Sequence, residues 1–293
     1  KDKVFYGWFD NHLAYISSTL KFLNDKNIDG KTFWNEADIY HFIGKDIVYH
    51  HYLFLPAMRL GIDKEFKLPD YIPTRGHLTL QGKKISKSRN WYIGLKDFLE
   101  LFPADYLRFY LISINPYSQD DLNFDWGQFL TKINSELIGN LGNLVNRALG
   151  FTIKTFDGVV PEPESFDEKD SESERKIKSL ADDIGKLMQE NHLDRALKQL
   201  MEFSAHFNQY FQHKEPWKKE PGTNTCIYLS VNAVRSIAIC LHSFLPKSSQ
   251  KIWSQLGLEG NVSDMSWNEM SELALNAGHK IGTVEPLFSK VES

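Results

Sequence analysis

Apolar residues return along this chain in two rhythms, and the change comes after residue 90. Upstream the runs are short and broken by glycine. Residues 4 to 9 predict a short strand, and Asp10 or Asn11 is placed to cap a helix through Tyr15, Ile16, Leu20 and Leu23 to about Asn24. Residues 38 to 44 form an apolar run ending in Gly44, after which Asp46 opens an apolar helix through Arg59. Strand, glycine turn and helix make the α/β unit in which ligands sit at the carboxyl end of the strand. A second extended pair, at Tyr71-Ile72 and His77 to Leu80, leads into a Lys/Ser-rich segment.

Downstream the period becomes helical. Phe98 to Phe102 and Asp105 to Ile114 predict short helices, and Asn123 to Trp126 caps a longer one through Phe129, Ile133, Leu137, Leu141 and Leu144. A Pro/acidic loop covers Pro161 to Asp170. Helices are predicted at about 171 to 190, 193 to 213, 223 to 244 and 247 to 256, and the bundle closes with Trp267 and an irregular tail. The pattern therefore predicts an α/β portion followed by an all-α bundle, with no internal repeat.

Bulk properties narrow the class. A length of 293 residues, 42% hydrophobic and 13% aromatic, suits a soluble protein of two domains. No uninterrupted apolar run reaches the roughly 18 residues that span a bilayer, and the opening residues lack the pattern of a signal peptide, so a cytoplasmic protein without a membrane partner is expected. Cys226 and Cys240 are the only cysteines. They exclude a disulfide framework and a four-cysteine zinc site, and read as buried small hydrophobes on a helix. A net charge of -4 argues against a broadly basic nucleic-acid surface, so any RNA contact has to be local. The first residue is Lys1 and the opening looks like the middle of a domain, which suggests a fragment.

The segment Lys84-Ile85-Ser86-Lys87-Ser88, preceded by Gly82, places two lysines three apart among small hydroxyl residues. Such a loop can bring point charges and hydroxyl donors onto a polyphosphate. Alone it is an ordinary solvated loop. About forty positions earlier stands Phe42-Ile-Gly-Lys-Asp46, and the two together suggest activation of a substrate by ATP.

With these segments in order, the chain resembles the class I aminoacyl-tRNA synthetases, specifically the methionyl-tRNA synthetase family, nearly end to end. Tyr40 to Tyr49, His51 and Leu53 to Met58 are similar to a family signature. Lys84 to Ser88 looks like its KMSKS loop with isoleucine replacing methionine. Asn140 to Arg147, Asn208-Gln-Tyr210 and Pro216-Trp217 resemble anticodon-reading helices, and Gly278 to Gly282 with Glu285 to Phe288 resembles the end of that bundle. The resemblance implies the second half of a Rossmann-like catalytic fold at 1 to 72, a stem-contact region with the loop at 73 to 127, and an anticodon-binding bundle at 128 to 293. It implies that ATP and Mg2+ are used to join methionine to tRNA(Met). The family's His-x-Gly-His turn and cysteine-rich zinc knuckle are not in this sequence, so an N-terminal catalytic half is an expected partner, with zinc only in that part. The isolated chain is then expected to be inactive, and no appended C-terminal dimerisation domain is expected.

Residue by residue, the resemblance implies that Lys84 and Lys87 neutralise the leaving pyrophosphate, each worth about 2 to 4 kcal/mol in a dry transition state. Gly44, Asp46, His77 and Ser86, with Lys87, are implied at the nucleotide, and Trp8, Tyr15, Ile47 and His51 around methionine. Ile47 and His51, four apart, share a helix face. Asn143 and Arg147 are likewise four apart, and with Pro216 and Trp217 offer hydrogen bonds and a stacking face to unpaired bases. Lys214, Lys218 and Lys219 flank Trp217 as phosphate contacts. Plainer roles stay open: helix N-cap for Asp46, structural strand residue for His77, core packing for Trp8. No metal site is read in this chain, His50 and His51 included. The family pattern Asp-Ala-Pro-Ile-Gly-Tyr is here Asp10-Asn-His-Leu-Ala-Tyr15. That departure keeps open a synthetase for another aliphatic amino acid, and a tRNA-binding module without chemistry is the other alternative.

Overall fold

The computed structural model describes residues 2–4, 6–62 and 64–292. Two units result: one from residues up to 78 together with 117–122, the other from 79–116 and 123 onward.

The first unit begins with a short helix α1 (Gly7–Asp10), where the sequence predicts a strand over 4 to 9; Phe5 lies outside the described residues. A strand needs a neighbour to satisfy its backbone, and among the described residues none pairs here. The chain satisfies itself instead, Phe9 N–H donating to Tyr6 O at 2.8 Å and Asn11 N–H to Gly7 O at 3.1 Å. Helix α2 (Leu13–Asn24) buries Ile16 and Leu23. Its cap position is His12, without a side-chain cap, rather than Asp10 or Asn11. Helix α3 (Gly30–Glu36) has a true cap, Asp29, which accepts from Lys31 N–H and Thr32 N–H.

Strand β1 (Ile43–Gly44) pairs in parallel with β2 (Thr74–Arg75), Ile43 opposite Thr74 and Gly44 opposite Arg75. The expected helix after Asp46 forms in three pieces: a 3-10 turn Lys45–Ile47, a π turn His50–Phe54, and α4 (Leu55–Ile62).

The second unit opens on a hairpin. Strand β3 (Leu78–Leu80) meets β4 (Lys83–Lys84) with Thr79 opposite Lys84. Gln81 and Gly82 between them both have positive φ, 50° and 73°, the turn whose twist matches that of the strands. Helices α5 (Leu95–Leu101) and α6 (Ala104–Ser113) follow, then β5 (Leu122–Phe124). Phe98, Tyr110, Phe124 and Phe129 are fully or almost fully buried and pack together as an aromatic core.

Asp125 caps the long helix, accepting from Gln128 N–H at 2.8 Å. This helix runs as α7 (Trp126–Lys132), a π segment Ile133–Gly142 and α8 (Asn143–Phe156). Helix α9 (Glu168–Gln189) starts earlier than the sequence suggests because Asp167 and Asp170 form a capping box. Then come α10 (Leu193–Lys214), α11 (Thr223–Leu241) and α12 (Pro246–Gln255).

Helix α11 is the axis of the bundle, touching α8, α9, α10 and α12. By length and composition it could cross a membrane, against the reading that nothing here could. Yet 89% of its most apolar stretch is buried in the bundle. The irregular tail is strapped on by core polar groups: Asn232 exchanges hydrogen bonds with the Leu275 backbone, and Arg235 donates to Glu269 O at 2.7 Å.

Candidate functional site

In the first unit, α1, α2 and the π turn bring a set of aromatic and imidazole side chains together. His51 Nδ1 lies 3.1 Å from Ile47 O, and its Nε2 lies 3.2 Å from Tyr15 Oη. A carbonyl can only accept, so Nδ1 carries a proton, and in the neutral ring Nε2 receives the Tyr15 hydroxyl. Three of the four expected methionine-pocket residues, Tyr15, Ile47 and His51, are thus joined through one buried imidazole. Trp8 stacks on the neighbouring His50 at 4.2 Å. It also lines an apolar hollow of about 300 Å³ with Tyr6, Phe9, Phe54, Ala57 and Met58.

His12 sits between these groups, 1% exposed, its ring edge-on to His51 at 4.9 Å. Burial, then the nearby His51 and His50, hold its pKa below the ordinary histidine value. His41 is pushed down to about 4 by burial and then by His51 and His12.

At the end of β1 a second cluster forms. His77 Nε2 lies 3.4 Å from Asp46 Oδ1, so two of the residues implied at the nucleotide meet. The cap position of the Lys45–Ile47 turn is Gly44, with no side-chain cap, so Asp46 does not serve as an N-cap. A Cβ on Gly44 would stand 2.6 Å from Asp46 Oδ1, so the glycine leaves room for that carboxylate. Asp121, which the sequence reading missed, anchors the cluster by accepting from Lys45 Nζ at 2.7 Å and from His77 N–H at 2.8 Å. The Lys45 hydrogen bond, then the His77 backbone, hold its pKa below the usual carboxylate range. Asp121 lies more than seventy residues from Lys45, so no local pattern could have revealed it.

In the second unit, Lys84 ends the hairpin and Lys87 opens a 3-10 turn, Lys87–Arg89. Both lysines are exposed and make no ion pair among the described residues. The loop closes on itself: Ser86 and Trp91 exchange backbone bonds at 2.8 and 2.9 Å, and the Ser86 and Ser88 hydroxyls lie 3.2 Å apart. Trp91 Nε1 donates to Leu80 O, tying the loop to the strand before it. Ile85, standing where the KMSKS pattern has methionine, is 37% exposed.

On the bundle, Asn143 and Arg147 project from α8 against α10. Asn140 Nδ2 donates to Met201 O at 2.8 Å, Asn208 Nδ2 donates to Asn140 Oδ1 at 3.1 Å, and Asn143 Nδ2 donates to Asn208 Oδ1 at 2.8 Å. Each amide's orientation follows from the one before, beginning at a backbone carbonyl. Asn143, exposed, is left with its Oδ1 as a free acceptor. Arg147 donates to Gln212 Oε1 at 3.1 Å, and its guanidinium lies 4.8 Å from the Phe211 ring and 6.0 Å from the Trp217 ring. Pro216 is buried and starts the turn that leaves Trp217 44% exposed. Phe211 and Gln212, three and four residues past Asn208, could have been found from helical spacing.

Two of the three flanking lysines are already paired. Lys214 is 11% exposed and bonds Asp167 and Asp170, both at 2.8 Å. Burial opposes its charge, but these hydrogen bonds outweigh that and hold its pKa above the lysine norm. Asp167 is lowered to about 2, chiefly by the Lys214 hydrogen bond. Lys218 is paired with Glu215. Cys226, buried on α11, is pushed up to about 12 by burial, so it packs as a thiol, as expected. Among the described residues no three His, Cys, Asp or Glu side chains are grouped to hold a metal.

Compared with known proteins, the chain matches the family described as "tRNA synthetases class I (M)" over residues 1–149, and "Anticodon binding domain of methionyl tRNA ligase" over 160–293. It is 40% identical over 309 residues to the methionine–tRNA ligase of Pyrococcus horikoshii, covering 99% of this chain and 42% of that protein. That of Methanopyrus kandleri is 40% identical over 297 residues, covering 99% and 43%. The solved Mycobacterium tuberculosis methionyl-tRNA synthetase in complex with methionyl-adenylate is similar with a TM-score of 0.84 and 26% identity, over 97% of this chain and 56% of that one. The likeness bears out the expected class, an α/β synthetase portion followed by a helical bundle. The chain spans less than half the length of these archaeal relatives.

Proposed function

The chain belongs to the methionyl branch of the class I tRNA synthetases, and from that premise we propose that it forms part of an enzyme joining methionine to tRNA(Met) with ATP. The observation that carries this reading is the α8–α10 face. There an exposed asparagine with a free amide oxygen and a guanidinium between two aromatic rings stand side by side, their partners on α10 and at Trp217 lying in the stretch similar to a methionyl anticodon domain.

In this reading Tyr15, Ile47, His51 and Trp8 surround the amino acid. Gly44, Asp46 and His77 meet the nucleotide. Lys84, Ser86 and Lys87 take the phosphates of ATP, and the lysines stabilise charge building on the departing pyrophosphate. Their exposure and lack of ion partners among the described residues suit that task, because no existing ion pair has to break first. Mg2+ would arrive with the ATP phosphates it shields. Asn143, Arg147, Pro216 and Trp217 read unpaired bases: the Asn143 oxygen accepts from an exocyclic amine, Arg147 donates to ring acceptors, and Trp217 stacks. The functional divisions are 1–72 for the nucleotide fold, 73–127 for the stem-contact region and 128–293 for anticodon reading. The chain acts with an N-terminal catalytic half, which holds any zinc, and in the cytoplasm, where such ligases generally work.

Methionine-dependent ATP–pyrophosphate exchange by the full-length gene product tests the chemistry. Binding of this chain to a CAU stem-loop, against one with a single anticodon base changed, tests the bundle. Exchange without methionine dependence, or equal and strongly salt-dependent binding of both stem-loops, would refute the corresponding half.

A further inference from the structure

His12 is 1% exposed, and neither ring nitrogen has a hydrogen-bond partner. A buried imidazole normally satisfies at least one nitrogen, because an orphaned buried polar atom is costly. The other rings in the cluster do not relieve it. Trp8 and His51 flank it at 5.6 and 4.9 Å, and Tyr15 and His50 both stand at 6.4 Å. His51 has both nitrogens engaged, one by a carbonyl and the other by the Tyr15 hydroxyl. His12 is therefore the buried group here whose entire hydrogen-bonding capacity is unspent, beside three of the four residues assigned to the amino acid.

We propose that His12 is a specificity-determining residue whose imidazole donates a hydrogen bond to the heteroatom of the bound amino-acid side chain, favouring an unbranched thioether or ether over the isosteric hydrocarbon. The proposal rests on the ligase reading above. Burial keeps the ring neutral at pH 7, so it presents one donor and one acceptor rather than a charge that an apolar side chain would have to desolvate. A site built around an unpaired donor rejects the analogue that cannot meet it, because the donor then stays orphaned.

The test is amino-acid-dependent ATP–pyrophosphate exchange by the full-length gene product with methionine, O-methylhomoserine and norleucine. In His12→Phe, which keeps ring bulk and removes both nitrogens, the kcat/KM ratio of methionine to norleucine falls about tenfold, and the ether-to-norleucine ratio falls further. His12→Leu gives the same collapse with a smaller side chain, and circular dichroism selects whichever variant folds. His12→Asn, which restores an N–H donor, recovers part of the preference. Ratios within twofold of wild type in a folded, active Phe or Leu variant overturn the role of His12 and leave the ligase reading standing. No methionine-dependent exchange by the wild type removes both.

Discussion

Helix α12 begins with no cap of its own. Leu245 occupies the cap position without a side-chain bond, and Pro246 starts the first turn. The cap comes from α6, far away in sequence: Asp105, 3% exposed, accepts from both Ser248 N–H at 2.6 Å and Ser248 Oγ at 2.7 Å through the same oxygen, Oδ2. Three residues on, Arg108 donates to Phe244 O at 2.6 Å, so one side of α6 holds the turn between α11 and α12. Asp105→Ala strands a buried N–H, about 1 to 3 kcal/mol, and a hydroxyl worth about 1. It also removes a negative charge from a helix N-terminus, about 0.3 to 2 kcal/mol. The expected loss is about 3 to 5 kcal/mol. Asp105→Asn can set its one amide oxygen where Oδ2 stood, keeping both bonds and losing only the charge, for about 1 to 2 kcal/mol. Urea unfolding followed by circular dichroism gives the totals. Hydrogen exchange of the α12 amides isolates this helix from the first unit, since two units need not unfold as one. A loss under 1 kcal/mol for Asp105→Ala, or equal losses for both variants, would refute the capping account.

Other consequences follow from the same structure. His41 and His12 titrate below the histidine norm, so both folded and unfolded forms are neutral above about pH 6.5, and below it the unfolded chain takes protons the folded one refuses. The first unit should lose stability as pH falls from 6.5 toward 4, by about 1 to 3 kcal/mol once solvent screening is allowed for. A melting temperature flat across that range would contradict this. Asp167, held down to about 2, keeps its contribution above pH 3.8 and loses it only as pH falls toward 2, so its ion pair with Lys214 should survive acid that loosens the first unit. Lys87→Ala should lower exchange by about 100- to 1,000-fold with little change in stability, because the side chain is exposed; a loss under fivefold would remove Lys87 from the chemistry. Arg147→Lys keeps the charge but not the planar fork or the ring contacts, and should weaken CAU stem-loop binding by about 1 to 3 kcal/mol. Unchanged affinity would count against Arg147 as a base reader.

Much of this was legible in the sequence because it is local. Helical period set the bundle helices to within a few residues, and the Asp125 cap precedes its helix directly. Ile47 and His51 share a face because four residues make about one turn. The motif segments carried the family because their chemistry needs particular residues at short spacing. What the tertiary structure alone decided depends on partners remote in the chain. The apolar run over residues 4 to 9 could become a strand only beside another strand, and with none among the described residues Trp8 rides on a short helix and stacks on His50. Lys214 reads as a phosphate contact until α9 brings Asp167 and Asp170 to it. Asp105 looks like the opening of its own helix, yet its carboxylate caps one 143 positions later. A hydrophobic pattern states which face of an element turns inward, since burial is a property of the face. It does not state which polar group waits there, since a hydrogen bond or ion pair is a property of two positions that only the folded chain brings within 3 Å.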